Sequence, residues 1–142
     1  MSNENPKNSG RCLCGAVRFE AVGAPLWVGL CHCESCRRAT GGALMAACGF
    51  LQENVTFTAA APAYYASSSG VRRGFCAACG TSLTYESTRW SDQVHLMVGN
   101  FEHPERFSPQ FHVFVGEQLP WLKFDDELPR YRTVPSAGDR VV

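Results

Sequence analysis

Apolar and polar residues alternate along this chain in short runs, broken repeatedly by glycine, proline and serine. Such a pattern predicts strands and turns rather than long helices. Cys12 to Glu20 reads as an extended run interrupted at Gly15. On an extended backbone Leu13, Val17 and Phe19 share one face, and Cys12 and Cys14 share the other. A bulge at Gly15 would change that parity. Trp27 to Cys33 is a second extended run, short and apolar. Glu34 to Ala39 fits one or two helical turns, stopped by Thr40-Gly41-Gly42. Ala43 to Phe50 is apolar enough for either a strand or a helix, and its glycines favour a strand.

Further strands are expected at Val55–Thr58, Ala63–Ala66, Val71–Phe75, Thr81–Ser87, Gln93–Gly99 and Phe111–Val115, with a turn at Ser67–Gly70. From Gly116 onward Pro120, Pro129 and Pro135 punctuate a charged stretch, expected to wrap the domain and to be anchored by Trp121 and Phe124. The fold class that follows is mainly β, built of short antiparallel strands with little helix.

A chain of 142 residues is expected to form one domain, and 45% hydrophobic residues suffice for a packed interior. The expected boundaries are a flexible N-terminal segment over 1–9, a zinc domain over 10–135 and a tail over 136–142. Thirteen basic residues balance thirteen acidic ones. That balance gives no global attraction to nucleic acid or to an acidic membrane, so neither is an expected partner. Met1 to Gly10 is polar, unlike a secretory signal, which makes the reducing cytoplasm the expected compartment. There, eight cysteines point to metal rather than to disulfides.

Seven of the eight cysteines fall into three clusters: Cys12-Leu13-Cys14, Cys31-His32-Cys33-Glu34-Ser35-Cys36 and Cys76-Ala77-Ala78-Cys79. Cys76-x-x-Cys79-Gly80 is a knuckle pattern whose two sulfurs can meet one ion, with Gly80 suited to the left-handed turn that closes it. Cys12 and Cys14 supply a second pair, which makes a closed four-cysteine site of the structural kind. Cys31, Cys33 and Cys36 would hold a second zinc with three sulfurs and an open position, the arrangement that can do chemistry. Two zinc ions per chain are therefore expected.

Other residues near the middle cluster have competing readings. His32 is awkwardly placed for a ligand because it adjoins two of them. Cys48 either closes the site as a fourth ligand or sits in Ala46-Ala47-Cys48 as a small buried hydrophobe, the commoner role for a lone cysteine. Arg37 and Arg38 either receive an anionic substrate or are solvated surface charge. His95 and His112 fall within strand-like runs and read as residues of a polar or partly satisfied face rather than as catalytic, and His103 reads as a loop residue.

Gly10-Arg11-Cys12-Leu13-Cys14-Gly15, Cys31-His32-Cys33-x-x-Cys36-Arg37 and Arg73-x-Phe75-Cys76-x-x-Cys79-Gly80 resemble the glutathione-dependent formaldehyde-activating enzyme family, which includes centromere protein V. Phe111-His112-Val113, Leu119-Pro120-Trp121 and Asp126-x-Leu128-Pro129 resemble it too. The resemblance implies a β-tent zinc fold. It implies a structural zinc on Cys12, Cys14, Cys76 and Cys79, and a catalytic zinc on Cys31, Cys33 and Cys36. It also implies a carbon–sulfur lyase that condenses glutathione with formaldehyde, with small-molecule thiol and carbonyl substrates. The alternative is a non-catalytic zinc module for protein interaction, and assembly into a homo-oligomer is left open by the sequence.

Overall fold

The computed structural model describes residues 5–142. Ten strands and one α-helix occur among the described residues: β1 (Lys7–Arg11), β2 (Arg18–Val22), β3 (Trp27–Cys31), α1 (Glu34–Thr40), β4 (Met45–Leu51), β5 (Val55–Phe57), β6 (Ala63–Ser68), β7 (Val71–Phe75), β8 (Ser82–Ser87), β9 (Gln93–Met97) and β10 (Phe111–Val113). The mainly β expectation holds, and each strand is short. Of the stretch 1–9 expected to be flexible, residues 1–4 lie outside the described residues, and β1 already begins at Lys7.

The chain divides into two compact units: Met1–Trp27 with Cys48–Phe107, and Val28–Ala47 with Ser108–Val142. In the first unit β1, β2 and β5 form an antiparallel sheet. Gly10 of β1 faces Phe19 of β2 in this register. A side-chain carbon at Gly10 would lie 2.2 Å from Phe19 Cζ, so only glycine lets the ring pack there. Phe19 meets Phe101 edge-on at 5.1 Å, and Phe101 stacks on Phe107 at 4.2 Å. Strands β6 to β9 form an antiparallel meander in the same unit.

One expectation fails here for a local reason. Cys12 to Val17 is not extended: Gly15 N–H bonds Cys12 O at 3.1 Å, Cys12 N–H bonds Val17 O at 3.0 Å, and Gly15 adopts φ +80°. The segment is a tight knuckle, so strand alternation does not bring the two sulfurs together. The turn does.

In the second unit β10 borders β3. β10 runs parallel to β3, a departure from the antiparallel expectation, with Leu30 opposite His112 and Cys31 opposite Val113. The chain after β10 is irregular, as its prolines predict. It pairs with His112 from the outer side: His112 N–H bonds Pro129 O, and Tyr131 N–H bonds His112 O, both at 2.9 Å. Phe124 anchors this segment by packing on His112 at 4.6 Å. Trp121 does not anchor it, being 68% exposed. The tail beyond residue 135 folds back, with Val141 N–H on Arg130 O at 2.8 Å.

Candidate metal centres

The first unit carries four sulfurs on two knuckles. Cys12 and Cys76 are buried, Cys79 is half-buried and Cys14 is exposed. All four Sγ atoms lie within 4.8 Å of one another. Cys12 and Cys14 Sγ are 3.6 Å apart, and Cys14 and Cys76 Sγ are 3.8 Å apart. Bonds of about 2.3 Å to a tetrahedral zinc put its sulfurs about 3.8 Å from each other, so these spacings fit that ion.

The two knuckles share their construction. Each opens with a cysteine whose N–H bonds the carbonyl five residues on: Cys12 to Val17 and Cys76 to Thr81, both at 3.0 Å. Each sulfur of those cysteines accepts a backbone N–H, from Val17 at 3.3 Å and from Cys79 at 3.4 Å. Gly80 closes its turn at φ +81°, as expected. Leu13 N–H donates to Thr81 Oγ1 at 3.0 Å, tying one knuckle to the other across 68 residues of sequence. The Thr81 hydroxyl also lies 3.2 Å from Cys79 Sγ, and that hydrogen bond leads in pulling the Cys79 thiol down to about 5. Cys79 thus favours the thiolate, the form that binds a cation.

The second unit carries the three remaining clustered sulfurs. Cys31 ends β3, Cys33 caps α1 and Cys36 lies in its first turn. Their Sγ atoms fall within 4.8 Å of one another, and no fourth cysteine, histidine or carboxylate joins them among the described residues. Cys33 Sγ accepts the Cys36 N–H at 3.4 Å, so a helix N-terminus supplies a donor to sulfur. Hydrogen bonding to Cys33 and Cys36, together with burial, pushes the Cys31 thiol up. Both clusters can hold a metal ion.

The other candidates separate clearly. Cys48 is fully buried in the first unit, with Sγ 3.7 Å from Leu96 O. Burial pushes its thiol up to about 12, which suits a small hydrophobe and not a ligand. Arg38 pairs with Glu34 at 2.9 Å along the helix surface, whereas Arg37 Nε reaches back to His32 O at 3.4 Å. His95 is buried against Trp27 and Tyr85, and desolvation lowers it to about 4. His103 pairs with Glu105 at the surface.

Residue-by-residue sequence reasoning missed a chain of imidazoles. His32 and His112 are both fully buried, and His32 Nε2 lies 2.9 Å from His112 Nδ1. His112 Nε2 lies 2.9 Å from Asp126 Oδ2. Desolvation, ahead of the nearby His112, lowers His32 to about 4. The hydrogen bond from His112 holds Asp126 below the usual carboxylate range. The signal that could have found this chain was the joint presence of Phe111-His112-Val113 and Asp126-x-Leu128-Pro129 in the motif set.

Comparisons with known proteins find relatives in sequence and in fold. The family model described as glutathione-dependent formaldehyde-activating enzyme matches residues 7–117. An uncharacterized lyase of Schizosaccharomyces pombe is 35% identical over 113 residues, covering 80% of this chain and 82% of that protein. A protein of Halomonas elongata, provisionally named a glutathione-dependent formaldehyde-activating enzyme, is 27% identical over 125 residues, 82% of this chain and 80% of its own. A crystal structure of a Rhodobacter sphaeroides protein shares the fold, with a TM-score of 0.56, 22% identity and coverage of 66% of this chain and 87% of that one.

Proposed function

The chain belongs to the glutathione-dependent formaldehyde-activating enzyme family, and from that premise we propose that it is a zinc-dependent carbon–sulfur lyase, joining a small thiol such as glutathione to formaldehyde or a related carbonyl. The observation that carries this reading is the group of Cys31, Cys33 and Cys36, three convergent sulfurs with no fourth donor from the described chain.

The bond changes are simple. The sulfur electron pair attacks the carbonyl carbon, a C–S bond forms, and the C=O π pair moves to oxygen. Oxygen takes up one proton for the one that sulfur gives up. No oxidant or reductant is needed, and the reverse direction cleaves the C–S bond. Zinc held by Cys31, Cys33 and Cys36 would supply Lewis acidity that lowers the pKa of a thiol. Cys12, Cys14, Cys76 and Cys79 would hold a structural zinc.

The chain's own residues have separable tasks. The Cys36 N–H, donated to Cys33 Sγ at the helix cap, keeps that sulfur aimed at its two partners. Arg37, directly after Cys36, supplies positive charge for substrate carboxylates, whereas Arg38 is committed to Glu34. The setting we assign is the reducing cytoplasm, where free thiols persist.

The test is exchange NMR of zinc-loaded protein with glutathione and carbon-13 formaldehyde. Exchange between free aldehyde and S-hydroxymethyl adduct should exceed the uncatalysed rate, and Cys33→Ala should return it to that rate. A protein with both clusters metal-loaded and no acceleration would instead support a binding module.

A further inference from the structure

The stretch from Val115 to Arg130 encloses an open groove of about 450 Å³, and all of its lining residues lie in the second unit. Leu119-Pro120-Trp121-Leu122 is a tight turn at one side. The Leu122 N–H bonds Leu119 O at 3.0 Å, and proline takes the second position, where its fixed φ belongs. Gln118 braces the turn. Its side-chain N–H donates to Leu122 O at 2.6 Å, and its side-chain oxygen accepts from Arg130 Nη2. One amide thus holds both the turn and the guanidinium in place. The mouth faces solvent, with Pro120 and Lys123 exposed on its rim.

The groove is amphipathic. Leu119, Leu122 and Phe124 give it half-buried apolar wall, and Lys123, Asp126 and Arg130 give it charge. Asp126 is already committed. Its Oδ2 meets His112 Nε2 at 2.9 Å, and its Oδ1 accepts the Leu128 N–H at 3.1 Å. Neither Lys123 nor Arg130 makes an ion pair among the described residues. Two cations against one carboxylate leave the lining with a single positive charge. A guanidinium held through one Nη by Gln118 keeps further N–H donors for another acceptor. A monoanion balances the lining, whereas a dianion would overshoot it beside Asp126.

We propose that this groove binds a small monocarboxylate with an apolar body. The carboxylate oxygens take the open donors of Arg130 and Lys123, and the body lies against Leu119, Leu122 and Phe124. No cysteine lines the groove. It is a second binding site, and it does not rest on the function proposed for the three sulfurs.

The experiment titrates the zinc-loaded full chain with benzoate, followed by calorimetry and by nitrogen-15 NMR. Benzoate should bind at one site per chain and shift the signals of the Gln118 side-chain amide and the Leu122 N–H. Benzamide matches its shape without the charge, and acetate carries the charge without the body. Each should bind about tenfold more weakly. Phenyl phosphate, a dianion, should bind no tighter than benzoate. Arg130→Gln should weaken benzoate about tenfold, the loss of a charge-assisted hydrogen bond. Lys123→Gln, at an exposed position where folding is not at risk, should weaken it about threefold. Cys33→Ala should bind benzoate as the wild type does. Equal binding of benzoate and benzamide, tighter binding of phenyl phosphate, unmoved Gln118 and Leu122 signals, or a Lys123→Gln affinity equal to wild type overturns the proposal. Benzoate binding in a protein that forms no thiol adduct removes the catalytic reading and leaves this one standing. Adduct formation without benzoate binding does the reverse.

Discussion

Cys36 donates its backbone N–H to Cys33 Sγ at 3.4 Å, and Cys79 makes the same bond to Cys76 Sγ at the same distance. The two Cys-x-x-Cys motifs therefore use one local device in two settings. After Cys36 the chain continues as a helix, whereas after Cys79 it turns back through Gly80 into β8. Their difference in sulfur count, three against four, is what separates a candidate reactive centre from a candidate structural one.

Metal content follows from that difference. Protein prepared without chelators should contain close to two zinc equivalents by elemental analysis. Cys76→Ala should lower thermal stability severely, because Cys76 sits in a buried cluster with Cys12, Val17 and Leu83, and zinc binding is folding free energy at such a site. A variant that melts like wild type would show that the four sulfurs hold no structural ion.

Cys33→Ala should behave differently. It removes a helix cap, worth about 1 kcal/mol, or about 4 °C in melting temperature for a domain of this size. Adduct formation should nevertheless be abolished. A large loss of stability with residual turnover would reverse the roles assigned to the two clusters.

Arg37 and Arg38 should no longer be treated as an equivalent pair. Arg38 is committed to Glu34 at the helix surface, so Arg38→Gln should change KM little. Arg37→Gln should raise KM for a carboxylate-bearing thiol severalfold and leave an uncharged thiol less affected. Equal KM changes for both thiols would make Arg37 a structural tie to His32 O and nothing more.

Acid should destabilise the protein partly through His95. Its native value is about 4, against about 6.5 when unfolded, because desolvation disfavours the imidazolium. The unfolded chain thus binds more protons throughout that window. The stabilisation is complete above about pH 6.5 and is lost as pH falls toward 4. Denaturant melts at pH 7 and pH 5 should show wild type losing about 2 kcal/mol more than His95→Gln over that interval. Parallel losses in the two proteins would mean that His95 is protonated in the native state.

Much of this protein was legible along its sequence because its signals are local. Cysteines separated by one or two residues must lie close in space, Gly41 must stop a short helix, and the alternating runs must be strands. Those inferences depend on backbone geometry within a few residues, and the structure agrees with most of them. Where two local signals competed, sequence could not arbitrate. Cys12 and Cys14 fit strand alternation as well as a turn, and the hydrogen bond from Gly15 to Cys12 O settles it as a turn.

The imidazole chain lies beyond that reach. His32 and His112 are 80 residues apart, and Asp126 is 14 further on. Each looks like an ordinary core or loop residue among its own neighbours. They meet because β10 pairs with β3 in parallel, with Leu30 opposite His112, and because the following segment returns to bond both backbone groups of His112. Parallel pairing leaves no turn in the sequence to announce its register. The cysteine spacing within each motif was thus set locally, while the meeting of the two knuckles and the burial of His32 against His112 came from contacts between segments far apart in sequence.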